Sequence, residues 1–158
     1  MPERRPLPEL QLEIAAHEQL VYQLIGAAGQ GGGGSHGARL LDRPAPERMI
    51  VEFTTRLLGR EVKTIEEVSL LDGGRIHYRL LEGPLPAVEE EFSIQPQAGG
   101  CVLRYSGWFK AHRGWLRGRL ESVLVPWLYR RAVWSSMLEI KALAEARQAK
   151  SRLFKLTD

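Results

Sequence analysis

Cysteine is nearly absent: Cys101 is the single one in 158 residues. An intrachain disulfide is therefore excluded, and without a Cys/His cluster there is no ligand set for structural zinc. Reliance on a core rather than on cross-links favours a reducing compartment, and a cytoplasmic location is the expectation. Long apolar runs are missing too. Nothing approaches the ~18 uninterrupted apolar residues of a membrane-spanning helix, and the opening MPERRPLPEL has prolines and charges where a secretory signal needs an apolar stretch. An HExxH pattern is absent, and His17, His36, His77 and His112 are not spaced as paired ligands on one element, so no metal is expected.

Glycine is not scarce, and GAAGQGGGGSHGARL holds seven glycines between Gly26 and Gly37. What this stretch lacks is chemistry. A phosphate loop needs a lysine and a hydroxyl after the last glycine, and a dinucleotide fingerprint needs a strand before it and a helix after it. Here the glycines follow a helical pattern and precede a strand pattern. The stretch reads as a mobile connector, with no nucleotide and no other cofactor.

Net charge is +3, unevenly placed. Residues 113–158 carry ten Lys/Arg against four Asp/Glu, a surplus of six, which leaves the first 112 residues at minus three. Such a basic end attracts nucleic acid or anionic lipid, but solvated helices also carry many arginines. Nucleic acid is not the expected partner.

At 44% hydrophobic residues the chain can bury one continuous core. Residues 10–16, LQLEIAA, alternate as a half-buried strand, and HEQLVYQLIGAAG places Leu20, Val21, Leu24 and Ala28 on a helical stripe. From about residue 38 to 110, strand patterns follow one another, broken by DRPAPE, LLDGGR, EGPLP and PQAGG. No helix-length segment separates them. Parallel neighbours need long crossovers, so these short breaks predict an antiparallel meander. One long amphipathic segment closes the chain, running from Trp115 to about Ala149 with Pro126 inside it, where a bend or a division is expected. Its apolar stripe is read through Leu116, Leu120, Val123, Leu124, Trp127, Leu128, Trp134, Leu138 and Leu143, and this stripe is expected to cover the sheet. A curled sheet against a straight helix leaves gaps that side chains fill or a ligand occupies.

This order of elements, together with LEIAAHEQLVYQLI, GRIHYRLLEGPLPAVEEEFSIQPQAGGCVLRYSGWFK and RRAVWSSMLEIKALAEARQA, resembles the START-like helix-grip superfamily. That superfamily includes polyketide cyclases and dehydratases, lipid-transfer domains and pollen-allergen-type ligand binders. The resemblance implies an α+β helix-grip fold: a curved antiparallel β-sheet of six or seven strands wrapped around a long C-terminal helix. It implies one ligand-binding domain over residues 8–150, followed by a basic tail at 151–158. The glycine stretch would then stand at the cavity entrance, where many members carry a second short helix.

Strand alternation puts Met49, Val51, Phe53, Thr55 and Leu57 on one face, with Ile76, Tyr78 and Leu80, then Glu90, Phe92 and Ile94, then Leu103, Tyr105 and Phe109. Within this concave wall the ligand-binding candidates are Phe53, Thr55, Tyr78, Glu90, Phe92 and Tyr105, joined by Trp127 and Trp134 from the last helix. Each has a plainer alternative. The tyrosines can be core residues, Glu90 can belong to an outer charged row, and the tryptophans can fill the space rather than line it. His77 alternates with Tyr78 and points outward with Arg75 and Arg79, and Cys101 lacks the neighbours of an activated thiol. No catalytic residue is assigned. The leading expectation is binding or transport of a small hydrophobic, aromatic or acyl ligand. A cyclase, aromatase or dehydratase-like enzyme is the first alternative, and a regulatory or interaction domain with a filled core is the second. Weak self-association into a homo-oligomer stays open.

Overall fold

A computed structural model of the chain describes residues 3–28 and 37–155. Eight strands and two helices follow one another as β1 (Arg4–Pro6), β2 (Leu10–Ile14), α1 (Glu18–Ala28), β3 (Gly37–Ala45), β4 (Arg48–Leu57), β5 (Arg60–Leu71), β6 (Arg75–Glu82), β7 (Ala87–Gln97), β8 (Gly100–Lys110) and α2 (Trp115–Lys155). Gly31 to Gly34 and His36, read above as an entrance connector, lie outside the described residues.

All strand pairs are antiparallel, in the order β1-β8-β7-β6-β5-β4-β3, and β2 also pairs with β8. The meander from β3 to β8 follows from the short breaks between strands, which leave no chain for crossovers. The sheet has eight strands where six or seven were expected. The addition is β1, three residues beside the end of β8, too short and too proline-rich to show a period of its own. At the opposite edge the β3 ladder shifts register between Leu40 and Asp42 and again between Asp42 and Ala45, and Pro44 falls in the second irregularity. Bulges and proline are how an edge strand avoids pairing with a further strand.

The curved sheet wraps α2, and the core between them gathers Met49, Val51, Val68, Ile76, Leu103, Tyr105 and Phe109 from the sheet with Val125, Met137 and Ala144 from the helix. Val21 and Ile25 of α1 join the same core. The C-terminal half of α2 is fastened to the strand-helix junction. Glu145 accepts from the backbone N–H of Ala15 at 3.0 Å, Gln148 from that of His17 at 3.2 Å, and Lys141 Nζ donates to the Glu13 carbonyl at 2.8 Å. Pro126 does not divide the helix, which continues through it to Lys155.

Candidate functional site

A two-residue turn sets the geometry of the inner face. Leu58 and Gly59, with φ of 51° and 76°, close a tight hairpin of the kind that needs positive φ at both central positions. Phe53 is thereby paired with Thr64, and Val51 with Glu66. Alternation then places Thr64 and Glu66 on the concave face beside Phe53. Tyr78 stands opposite Val68 on one side and Glu90 on the other, while Phe92 stands opposite Ile76 and Tyr105.

Four rings cross this face as a ladder. Centroid separations are 6.2 Å from Phe53 to Tyr78, 5.9 Å from Tyr78 to Phe92 and 5.2 Å from Phe92 to Tyr105, all tilted or edge-on as aromatic quadrupoles prefer. Between the strands of Phe53 and Tyr78 the ladder skips β5, and there Thr64 and Glu66 supply polar atoms. Glu90 stands on the inner side of β7 among the rings. Its partner on β8 is Gly107, where an added Cβ would meet the Glu89 carbonyl oxygen at 2.6 Å. No side chain at 107 therefore separates Glu90 from the Tyr105 ring.

The Tyr105 hydroxyl donates to Glu90 Oε1 at 2.5 Å, and Thr64 Oγ1 donates to Glu66 Oε1 at 2.9 Å. Among the described residues neither Glu66 nor Glu90 has an ion-pair partner. Burial is the main force on Glu90, and the charge of Glu66 adds to it; together they outweigh the Tyr105 hydrogen bond and push the carboxyl up to about 8. Burial likewise raises Glu66, against the bond from Thr64. Two interacting acids in such surroundings resist double ionisation, so the pair keeps at least one proton at neutral pH. The hydroxyls of Tyr78, Tyr105 and Tyr129 are pushed up as well, first by burial and then by carboxylate charge, and stay neutral donors. Tyr129 brings the inner face of α2 to the same cluster.

Both carboxyls lie deep within the fold, yet each residue keeps part of its surface open to a water-sized molecule.

No family profile matches the sequence, and no curated protein does. Solved structures do match. The Zhui aromatase/cyclase from a Streptomyces strain superposes with a TM-score of 0.79 at 16% identity, over 92% of this chain and 96% of that one. A START superfamily protein from Mycobacterium smegmatis gives 0.64 at 19%, over 92% and 99%. Major latex-like protein 151 from Panax ginseng gives 0.70 at 15%, over 89% and 97%. The chain has the START-like helix-grip fold. At these identities the likeness establishes the fold, and the shape alone leaves the chemistry to the side chains.

In this helix-grip chain Phe53, Tyr78, Glu90, Phe92 and Tyr105 come together. Thr55 shares their face but stands opposite Val62, nearer the Leu58–Gly59 turn and away from the carboxyls. Trp127 and Trp134 do not join them. They are 49% and 38% exposed and sit on the outer side of α2, so the expectation that they face the sheet is corrected. The helix carries two apolar faces. The one through Val125, Tyr129, Val133, Met137, Ile140 and Ala144 is turned inward, while Leu116, Leu120, Val123, Trp127, Trp134 and Leu138 are turned outward. The inner face has fewer large rings and admits close approach to the sheet, which a face of three leucines and two tryptophans would not.

Sequence reading missed Glu66, Thr64 and Tyr129. For the first two a signal existed: treating Leu58–Gly59 as a two-residue hairpin turn puts Glu66 opposite Val51. Tyr129 was hidden by the wrong choice of helix face. Outside the cluster, His77 points to the outer side, 3.3 Å from Glu89, and His112 holds Glu121 through its backbone N–H at 2.7 Å and its ring at 2.8 Å. Cys101 is buried, and burial followed by the Glu18 charge raises its thiol, the reverse of an activated nucleophile.

Proposed function

We propose that the protein binds a hydrophobic ligand carrying a polar end, with the apolar part along the Phe53–Tyr78–Phe92 rings and the polar end at Glu66, Glu90 and Tyr105. One observation carries this reading: two carboxyls without ion-pair partners stand on the inner wall of an otherwise apolar and aromatic face. An unpaired buried carboxyl costs several kcal/mol, roughly, unless it stays protonated and hydrogen-bonded. A core built only for stability gains nothing from two. Protonated, the pair offers both donors and acceptors, which suits a carbonyl or hydroxyl group, while the rings contribute roughly 25 cal/mol per Å² of apolar ligand surface removed from water. Mass spectrometry of protein purified without denaturation, followed by titration with long-chain acyl and polycyclic phenolic compounds, tests the reading. Retention of such a compound, weakened in Glu90→Gln, supports it; failure of both compound classes to bind overturns it.

A second reading is favoured by the position of the Glu90 carboxyl near neutrality, where general acids work best. In a dehydration, protonated Glu90 would give its proton to a leaving hydroxyl while ionised Glu66 takes one from the adjacent carbon. Water departs, a C=C bond forms, and the proton then passes within the pair to restore the starting state. The fold shared with an aromatase/cyclase is compatible with this chemistry. Recovery of the titrated compound unchanged in mass separates binding from turnover.

A further inference from the structure

The outward face of α2 does not serve the inner site. Leu116, Leu120, Val123, Trp127, Trp134 and Leu138 recur at intervals of four, three, four, seven and four residues, which keeps them on one side of the helix over roughly 33 Å. All are exposed, Leu116 and Val123 each to 75%. Apolar stripes of this length are not left on a monomer's surface without a use.

The charge around the stripe says what covers it. Arg113, Arg117, Arg119, Arg130 and Arg131 border it, and Glu121 is the one acidic residue between 113 and 138. That carboxylate is already taken by His112 and by Arg117 Nε at 3.0 Å. Arg119 and Arg131 lie over the Trp115 and Trp127 rings at 5.9 and 5.8 Å, with their cations along the edge of the stripe. At its N-terminal end Arg5 of β1, Arg113 and Arg119 line a hollow of about 280 Å³ with Trp115, His112 and Glu3, so the basic margin extends onto the sheet edge. A second copy of the chain would bring the same arginine-rich face and no complementary charge. An anionic bilayer supplies all three requirements of this face: acyl chains for leucine and valine, headgroup depth for tryptophan, and phosphate for arginine. No helix among the described residues is long and apolar enough to cross a membrane, so the contact would be one of lying on the surface.

We propose that the outer face of α2 docks the protein onto an anionic lipid surface. The test is flotation of the full chain with phosphatidylcholine vesicles, with and without added phosphatidylglycerol, at low and high salt, alongside sedimentation velocity without lipid. The expected result is binding to the phosphatidylglycerol vesicles that weakens with salt, a blue shift of tryptophan emission on binding, and a monomer in solution. Leu120→Glu with Val123→Glu should lower vesicle partition by at least about tenfold while leaving the circular dichroism spectrum unchanged. Should that variant misfold, Arg130→Glu with Arg131→Glu tests the charge alone and should cost roughly tenfold or more. The proposal is overturned by absent binding, by equal binding to neutral vesicles, or by a dimer that Leu120→Glu with Val123→Glu converts to monomer. Ligand titration of the inner site is read separately, so failure of one claim leaves the other standing.

Discussion

Tyr105 on β8 donates its hydroxyl to Glu90 on β7 at 2.5 Å, across a register in which Tyr105 faces Phe92 and Glu90 faces glycine. The contact ties the largest fully buried side chain of the sheet to a carboxyl that has no ion-pair partner among the described residues. Removing the hydroxyl in Tyr105→Phe deletes the bond that favours the ionised carboxyl, so Glu90 should titrate higher still. Stability should fall by about 1–3 kcal/mol, since a buried acceptor loses its donor. Denaturation with urea checks the second effect and carboxyl NMR the first.

Glu90 also makes stability depend on pH in a stated direction. Its folded pKa, about 8, lies above the ordinary carboxylate value. The folded state therefore holds the proton more tightly, and its advantage is complete below the unfolded pKa and lost as pH rises through about 8. Glu90→Gln mimics the neutral acid and should flatten this loss, with a difference on the order of a few kcal/mol at the alkaline end. Thermal unfolding across that range, wild type against variant, measures it. Parallel slopes for the two proteins would contradict the assignment.

Glu121 behaves oppositely. Burial works against its charge, but the His112 backbone N–H, the His112 ring and Arg117 together hold its pKa below the usual range. Its contribution is present above the unfolded pKa and lost as pH falls through the folded one. Glu121→Gln should cost about 1–2 kcal/mol near neutrality and less in acid. Urea denaturation at both pH values reads the difference.

The two faces of α2 should separate cleanly on truncation. Met137 is fully buried, and Met137→Ala should cost about 2–5 kcal/mol, whereas Trp127→Ala should change stability by roughly 0.5–1 kcal/mol. Chemical denaturation of the pair decides it, and equal losses would refute the orientation of the helix.

That orientation also marks where sequence reading succeeds and where it stops. Alternation placed Phe53, Tyr78, Phe92 and Tyr105 on one face because a strand has only two faces and the apolar residues occupy one. The same rule placed Glu90 with them, although the run Glu89–Glu91 equally suited an outer row; register with Tyr78 resolves it. Residues 61–67 carry polar side chains on both faces, so Glu66 could be found only through cross-strand register, which the two-residue Leu58–Gly59 turn sets. On α2 two apolar stripes compete, and hydrophobicity favours the wrong one. The choice between them is made by how closely Val125, Met137 and Ala144 let the helix approach the sheet, a tertiary property without a local signature.

A protonated carboxyl inside an aromatic wall is the feature on which ligand binding depends, and ¹³C NMR titration of the glutamate side-chain carboxyls reads it out. One resonance, absent from Glu90→Gln, should titrate near 8 and move downward in Glu66→Gln as the neighbouring charge is removed. Titration of every glutamate carboxyl near the ordinary ~4.3 would contradict the account, because a Glu90 that ionises freely is solvated and not part of an enclosed site.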